Sequence, residues 1–257
     1  MLKIAINGIM GRMGQELVRQ INAYPDFELV GGIDRQKPEE KYPYPVETNP
    51  ETVVALADVV IDFSLPAGAI AVLKACRNSG KKLVTGTTGF SDEEMKFFRE
   101  AAREIAIVQA FNFSIGINLL AVALEMVSGV VGRKSDIEIT EVHHRHKKDA
   151  PSGTALLLAG AVWQGMGATN DEAPLVFGRE GRNLARGSEI AVHSLRGGSV
   201  VGEHTVHFLG ENESLTFTHK AQNRGLFADG ALMAARWVAE QTPGLYGMSE
   251  VLGLNLK

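Results

Sequence analysis

Leu2-Lys3-Ile4-Ala5-Ile6-Asn7-Gly8-Ile9-Met10-Gly11-Arg12-Met13-Gly14 is the stretch that decides how this chain folds. An apolar run ends at Asn7, glycines follow at positions 8, 11 and 14, and Met13, Leu17, Val18 and Ile21 then recur at helical spacing. Strand, glycine turn and helix in that order open a dinucleotide-binding βαβ unit. Gly8 permits the tight turn off the strand, Gly11 lets backbone approach a pyrophosphate, and Gly14 lets the helix pack close to the strand. The N–H groups at the helix start then face the anion, and Arg12 adds a charge-assisted contact. Met10 stands where the commonest form of the motif has glycine, and glycines at this spacing also serve packing alone. Asp34 closes the next apolar run, 20 residues beyond Gly14. An acid there accepts from the adenosine ribose hydroxyls and favours NAD. Arg35 beside it suits a 2′-phosphate or stacking on adenine. The pair also fits an ordinary strand-to-loop junction. With both chemistries present, the expected cofactor is NADH or NADPH with little discrimination.

Working outward, short apolar runs recur at Phe27 to Ile33, Asp58 to Phe63, Lys81 to Thr85 and Ile105 to Gln109. Helical stretches lie between them, around Ala67–Asn78 and Asp92–Arg103, the latter opened by a capping box from Ser91 and Glu94. This alternation predicts an α/β fold, a Rossmann-type doubly wound parallel sheet covered on both faces. Two loops at strand ends are candidates for the nicotinamide end: Gly86-Thr87-Thr88, and Ala110-Phe111-Asn112-Phe113. A plain β–α loop and a core aromatic pair are the alternatives.

Beyond Phe113–Gly116 the pattern changes. Ile115 to Val131 predicts one long helix, Asp136 to His144 a strand, and Thr154 to Met166 a helix. Thr169 to Arg186 is polar and without period. Glu189–Leu195, Val200–Leu209 and Ser214–Lys220 alternate partially with period two, and a last helix covers about Phe227 to Glu240. The expectation is a dinucleotide-binding domain over 1–114, a second α+β domain with a mixed sheet over 115–221, and a C-terminal segment, 222–257, that packs back on the first domain.

Length and composition agree. The 257 residues can bury a large core in one or two domains. Hydrophobic residues at 45% and charged residues at 22% exclude wholesale disorder. A net charge of −4 removes a broad basic surface, and no nucleic-acid partner is expected. Cys76 alone permits no internal disulfide, which suits a reducing compartment. The N-terminus lacks a signal-peptide pattern, and no uncharged apolar run reaches the ~18 residues that span a bilayer, so no membrane is expected.

Glu141-Val142-His143-His144-Arg145-His146-Lys147-Lys148-Asp149-Ala150-Pro151-Ser152-Gly153-Thr154 is the densest chemistry in the chain. Pro151 suits the first turn of a helix, and Ser152, Gly153 and Thr154 then offer N–H groups and a hydroxyl to a carboxylate. Lys147 is a candidate proton donor, and His143 or His144 can do similar work nearer neutral pH. A solvated loop is one alternative. Metal binding is another, disfavoured by the surrounding cations and the lack of cysteine, so no metal is expected.

The motifs GxxGRMG, GTTGF, NFSxGxN, EVHHRHKKDAPSGTAL, VGEHTVHF and HKAQNRGLFADGA closely resemble the 4-hydroxy-tetrahydrodipicolinate reductase (dihydrodipicolinate reductase) family, in order from about residue 4 to 231. The resemblance implies an NAD(P)H-dependent oxidoreductase of lysine and diaminopimelate biosynthesis. It also implies a homotetramer, cytoplasmic in bacteria, acting on a small cyclic dicarboxylate. It assigns Gly8, Ile9, Met10, Gly11, Arg12 and Met13 to the pyrophosphate, Asp34 and Arg35 to the adenosine end, and Gly86, Thr87, Thr88, Ala110, Phe111, Asn112 and Phe113 to the nicotinamide. His143 is implied as proton donor or acceptor, Lys147 as proton donor, and His144, Gly153 and Thr154 as carboxylate ligands. Arg224 is a weaker candidate for a substrate or closure contact. The alternatives are another dinucleotide-dependent dehydrogenase, which would not need so many anion donors, and a non-catalytic dinucleotide sensor, which would not need Lys147 and the histidines.

Overall fold

The computed structural model describes residues 1–39, 41–181 and 185–254. In chain order the elements begin β1 (Leu2–Asn7), α1 (Arg12–Ile21), β2 (Phe27–Ile33), β3 (Val46–Glu47), α2 (Pro50–Val54), β4 (Val59–Asp62), α3 (Pro66–Ser79), β5 (Lys82–Thr85), α4 (Asp92–Ala101) and β6 (Ala106–Gln109). Then come α5 (Ile115–Val131), β7 (Asp136–His143), α6 (Gly153–Met166), β8 (Leu175–Phe177), β9 (Ile190–Arg196), β10 (Gly202–Leu209) and β11 (Ser214–Ala221). The chain finishes through α7 (Gly225–Val238), β12 (Gly244–Tyr246) and α8 (Met248–Val251). Two compact units result among the described residues: Met1–Ile115 with residues 224–254, and Gly116–Asn223.

The first unit is a seven-stranded, all-parallel sheet in the order β12-β6-β5-β4-β1-β2-β3. Its strands are mostly apolar, and residues 4–6 and 59–61 are wholly buried, because both faces are covered. One core cluster joins Ile4, Ile6, Leu17 and Ile61 to Ala228, Ala231, Leu232 and Val238 of α7. The other joins Ala5, Val60, Leu73, Leu83, Phe98 and Ile107 across the opposite face. The order reverses between β1 and β4, the point at which open α/β sheets place their ligand crevice. The capping box at Ser91 and Glu94 is present at the head of α4.

The second unit is a five-stranded mixed sheet, β11-β10-β7-β9-β8, with β7 antiparallel to β10 and parallel to β9. Period-two alternation turns Ile137 and Ile139 of β7, and Val206 and Phe208 of β10, inward against Leu158, Ala159 and Val162 of α6 and Leu124 of α5. Helix α5 with the turn after it is by length and composition able to cross a bilayer. Here Ile117, Leu124 and Ser128 form its buried stripe, and Leu119, Met126 and Val130 lie exposed.

Several elements differ from expectation. α2, β3, β8, β12 and α8 had no periodic signal, being two to five residues long. β8 lies within the stretch 169–186, of which 182–184 fall outside the described residues, as do 255–257 of the C-terminal segment. β7 ends at His143, α6 starts at Gly153 and α7 at Gly225. Pro151 precedes the Ser152 N-cap, so it stands outside the helix rather than in its first turn.

Candidate active site

In the first unit the glycine turn is built as its spacing requires. Gly8 has φ +76°, and a Cβ there would lie 2.7 Å from the Phe63 carbonyl oxygen. A Cβ on Gly14 would lie 2.2 Å from the Gly8 oxygen, so only glycine lets α1 sit this close to the turn. The amides of Gly8 and Ile9 donate to the Ile33 carbonyl, and that of Gly11 to the Gly8 carbonyl. The Met10 amide donates to Asp34 Oδ2 at 2.9 Å, and the Arg35 amide to Oδ1 at 2.8 Å. Asp34 is thus tied to the turn. The turn's own amides are consumed internally, and the first intrahelical bond starts at Gln15, which donates to Gly11. Gly11 is the N-cap and supplies no capping side chain, nor is there an acid in the first turn. The amides of Arg12, Met13 and Gly14 therefore head an uncapped, positive helix end. Ile9 is fully buried, its side chain filling the space over Gly32.

Gly8, Met10, Gly11, Asp34 and Arg35 line a cleft of about 620 Å³ at the carboxyl ends of β1 and β2, closed on the far side by Ser64, Leu65 and Gly68. Arg12, Met13, Gly86, Phe111, Asn112 and Phe113 line a hollow of about 270 Å³ with Phe63 and Arg224. Phe111 is exposed, while Phe113 is buried edge-on to Phe63 at 5.5 Å. Thr88 and Ala110 line neither cavity; Thr88 is exposed, and the Ala110 amide donates to Thr85. The donor set and the glycine-only turn fit a dinucleotide pyrophosphate.

Asp62 was missed from sequence. It ends β4, fully buried, and accepts from Asn7 Nδ2 (2.7 Å), Ser64 Oγ (2.6 Å), Thr85 Oγ1 (2.6 Å) and Thr87 Oγ1 (2.8 Å). Burial pushes its carboxyl above the usual range, and these four donors pull it back. Thr87 thus turns its hydroxyl inward to brace the loop. The available signal was an acid within an otherwise apolar buried strand.

In the second unit, the alternation that buries Ile137 and Ile139 also buries Glu141 and His143. Fully buried Glu141 accepts at Oε2 from His143 Nδ1 (2.5 Å) and Arg196 Nη1 (2.8 Å), and at Oε1 from Arg196 Nη2 (2.8 Å) and the Ser152 amide (3.1 Å). Burial alone would raise the Glu141 carboxyl; the hydrogen bonds led by Arg196 outweigh it and hold it at about 2. Burial lowers His143, against the pull of Glu141. His204 of β10 meets His143 edge-on at 5.1 Å and lies 3.0 Å from Ser152 Oγ, and burial pushes it down to about 4. Lys147 Nζ pairs with Asp149 at 2.9 Å, which holds the Asp149 carboxyl below its usual range. The His144 amide donates to Val200. Ser152 caps α6 by accepting from the Ala155 amide at 3.2 Å. Because its own amide is spent on Glu141, Ser152 offers no free N–H, contrary to expectation; Gly153 and Thr154 head the helix. Among the described residues no group of three or more His, Cys, Asp or Glu is placed to hold a metal ion.

The sequence matches the family descriptions "Dihydrodipicolinate reductase, N-terminus" over residues 2–113 and "Dihydrodipicolinate reductase, C-terminus" over 116–252. It is 43% identical to the 4-hydroxy-tetrahydrodipicolinate reductase of Myxococcus xanthus (strain DK1622), covering 98% of each chain. It is 42% identical to the protein of that name from Nitrosomonas eutropha, covering 99% of each. The solved structure of a dipicolinate-bound dihydrodipicolinate reductase from Paenisporosarcina sp. TG-14 superposes with a TM-score of 0.78 at 28% identity, covering 97% of this chain and 98% of that one. Matched in both halves and along nearly its whole length, the chain belongs to the dihydrodipicolinate reductase family.

Proposed function

We infer that this chain carries out the NAD(P)H-dependent reduction of 4-hydroxy-tetrahydrodipicolinate (dihydrodipicolinate) to tetrahydrodipicolinate in lysine and diaminopimelate biosynthesis. The observation that carries the reading is the polar end of the second sheet. There Glu141 ties His143 to the head of α6, and Arg196 bridges Glu141 to the Asp149 carbonyl, next to the Lys147 pair. A proton-handling group, cations and helix-head donors are what reduction of a dianionic ring requires.

When bound, the reduced nicotinamide supplies the hydride. Gly8, Ile9, Met10, Gly11, Arg12 and Met13 hold the pyrophosphate against the head of α1, with Ile9 acting as the buried peg of the turn. Asp34 and Arg35 take the adenosine end. Gly86, Thr87, Thr88, Ala110, Phe111, Asn112 and Phe113 serve the nicotinamide, with Thr87 braced on Asp62. His144, Gly153 and Thr154 bind substrate carboxylates. Reduction of a conjugated C=C–C=N system builds negative charge that a proton must quench; Lys147 or His143 delivers it. Arg224 is a further contact for bound ligand. The reading extends to a cytoplasmic homotetramer, supported by the outward sheet face. That face presents polar pairs to a partner, the exposed Thr205–Thr218 at 3.1 Å and the partly buried His193–Glu138 at 2.6 Å.

Enzymatically generated substrate and either NADH or NADPH test the activity at the nicotinamide absorbance band. Both cofactors should serve, with kcat/KM differing by less than several hundred-fold. Lys147→Ala should lower kcat on the order of 100-fold or more while cofactor Kd stays within about two-fold. Equal loss of both, or of neither, removes Lys147 from the chemistry.

A further inference from the structure

Glu141 and His143 occupy successive inward positions of β7 just past the apolar core. An ionised carboxylate only accepts hydrogen bonds, so His143 Nδ1, both Arg196 nitrogens and the Ser152 amide must donate to Glu141. The hydrogen of neutral His143 is therefore on Nδ1, and Nε2 is the nitrogen left to exchange a proton. Nε2 borders Gly202 of β10, where a Cβ would stand 3.0 Å away. Any larger residue would crowd that nitrogen. The groups facing the imidazole come from every neighbouring segment: Glu141 on β7, Arg196 on β9, His204 on β10 with His219 paired to it on β11, and Lys147 in the following loop. Only Glu141 carries negative charge among them. The same carboxylate takes the Ser152 amide at the N-cap of α6, fixing the helix head relative to the imidazole.

We propose that Glu141 is a positioning residue for the reaction. It fixes the tautomer and orientation of His143 so that Nε2 alone handles the proton, and it registers that imidazole against the carboxylate-binding head of α6. Gly202 is the complementary element that keeps Nε2 uncovered. The proposal rests on reading His143 as a proton-handling group.

The test is Glu141→Gln in the full-length protein, followed by ¹⁵N-NMR titration of the histidine rings and by pH profiles of kcat/KM. The wild type should show neutral His143 as the Nδ1–H form. In Glu141→Gln the amide N–H can donate to Nδ1, so Nε2–H should gain population. His143 should titrate at lower pH, and the acid limb of the profile should move the same way. kcat should fall on the order of 10- to 100-fold with cofactor Kd unchanged, and Glu141→Asp should restore part of kcat and the wild-type tautomer. Gly202→Ala leaves Glu141 intact and should lower kcat about ten-fold by crowding Nε2, which keeps the proposal testable if Glu141→Gln does not fold. An unchanged tautomer and titration in Glu141→Gln overturn the proposal. So does a loss of kcat without those changes or without rescue by aspartate, and so does full activity of Gly202→Ala. Absence of turnover in the wild type would instead fail the functional reading, since the NMR arm needs no substrate.

Discussion

His204 lies in the interior of the second unit, 4% exposed, with Nε2 against Ser152 Oγ and its ring against His143. Burial lowers its titration from 6.5 to about 4. Above pH 6.5 the ring is neutral in folded and unfolded chains, and unfolding takes up no proton there. Between 6.5 and about 4 the unfolded chain binds a proton that the folded one refuses. Stability therefore falls on acidification, by up to about 1.4 kcal/mol per pH unit from this ring. His143 and His219 are shifted in the same direction and add to the slope. Glu141 acts in a lower window, from 4.5 down to about 2, where protonation removes its hold on Arg196 and Ser152. His204→Gln can keep a bond to Ser152 without titrating. Urea unfolding between pH 7 and 4, followed by Trp163 fluorescence in a Trp237→Phe background, should show a slope shallower by about one proton than its parent. Equal slopes would mean that His204 is not held neutral by burial.

At the scale of elements, glycine contacts separate helices that glycine builds from helices that merely tolerate it. In α1, Gly14→Ala drives a methyl into the Gly8 carbonyl and the backbone of Ile9, at 2.2 and 2.6 Å. The helix must move off the turn. A cost of about 1–3 kcal/mol and a loss of dinucleotide affinity of at least about ten-fold are expected. In α6, a Cβ on Gly160 meets nothing within 4 Å, so Gly160→Ala should raise the melting temperature slightly. Melting curves and a fluorescence titration with NADPH check both; a harmless Gly14→Ala would detach the glycine spacing from its purpose. The same contacts explain what the sequence disclosed. Gly8, Gly11 and Gly14 are local chemistry read at fixed offsets, and the parallel sheet follows from short apolar runs such as Ile4 to Ile6 and Val59 to Ile61. The part of the site built by strand phase was equally present, but the sequence picks out only His143, from its local cluster, and leaves Glu141 and His204 without a role. Glu141 and His143 are in step with Ile137 and Ile139, and His204 with Val206 and Phe208. Arg196 offers no such signal, because its bond to Glu141 joins residues 55 apart that only sheet pairing brings together. β3, β8 and β12 are too short to show a period at all.

At the scale of the whole molecule, the first unit is discontinuous in sequence. Residues 1–115 supply six strands of its sheet, and the segment from Arg224 supplies the seventh, β12, paired with β6. α7 buries Ala228, Ala231, Leu232, Ala234, Ala235 and Val238 in the same core cluster as Ile4, Ile6 and Ile61. Arg236 forks Asp26 with two bonds of 2.8 Å, and Lys82 caps the Ala239 carbonyl. Cut after Ile115, the sheet would keep α1 over β1 and β2 but lose the helix that covers β4, β5 and β6 on that face, apolar surface whose exposure costs about 25 cal/mol per Å². The two pieces also meet near the cut. Gly230 packs so closely on the Phe113 carbonyl that a Cβ there would lie 1.8 Å from the oxygen. Since α7 starts at Gly225, only about 8 Å of helix precedes that contact, and a flexible linker of roughly six residues spans such a gap. A chain joining 1–115 to 224–257 by such a linker should therefore fold cooperatively and bind NADPH within about ten-fold of the intact protein. Residues 1–115 alone should show no cooperative melt and no binding. Circular dichroism melts and NADPH fluorescence titrations of the two chains decide the matter. If 1–115 alone melts cooperatively and binds as tightly, the C-terminal segment is an accessory rather than a structural part of the dinucleotide-binding unit.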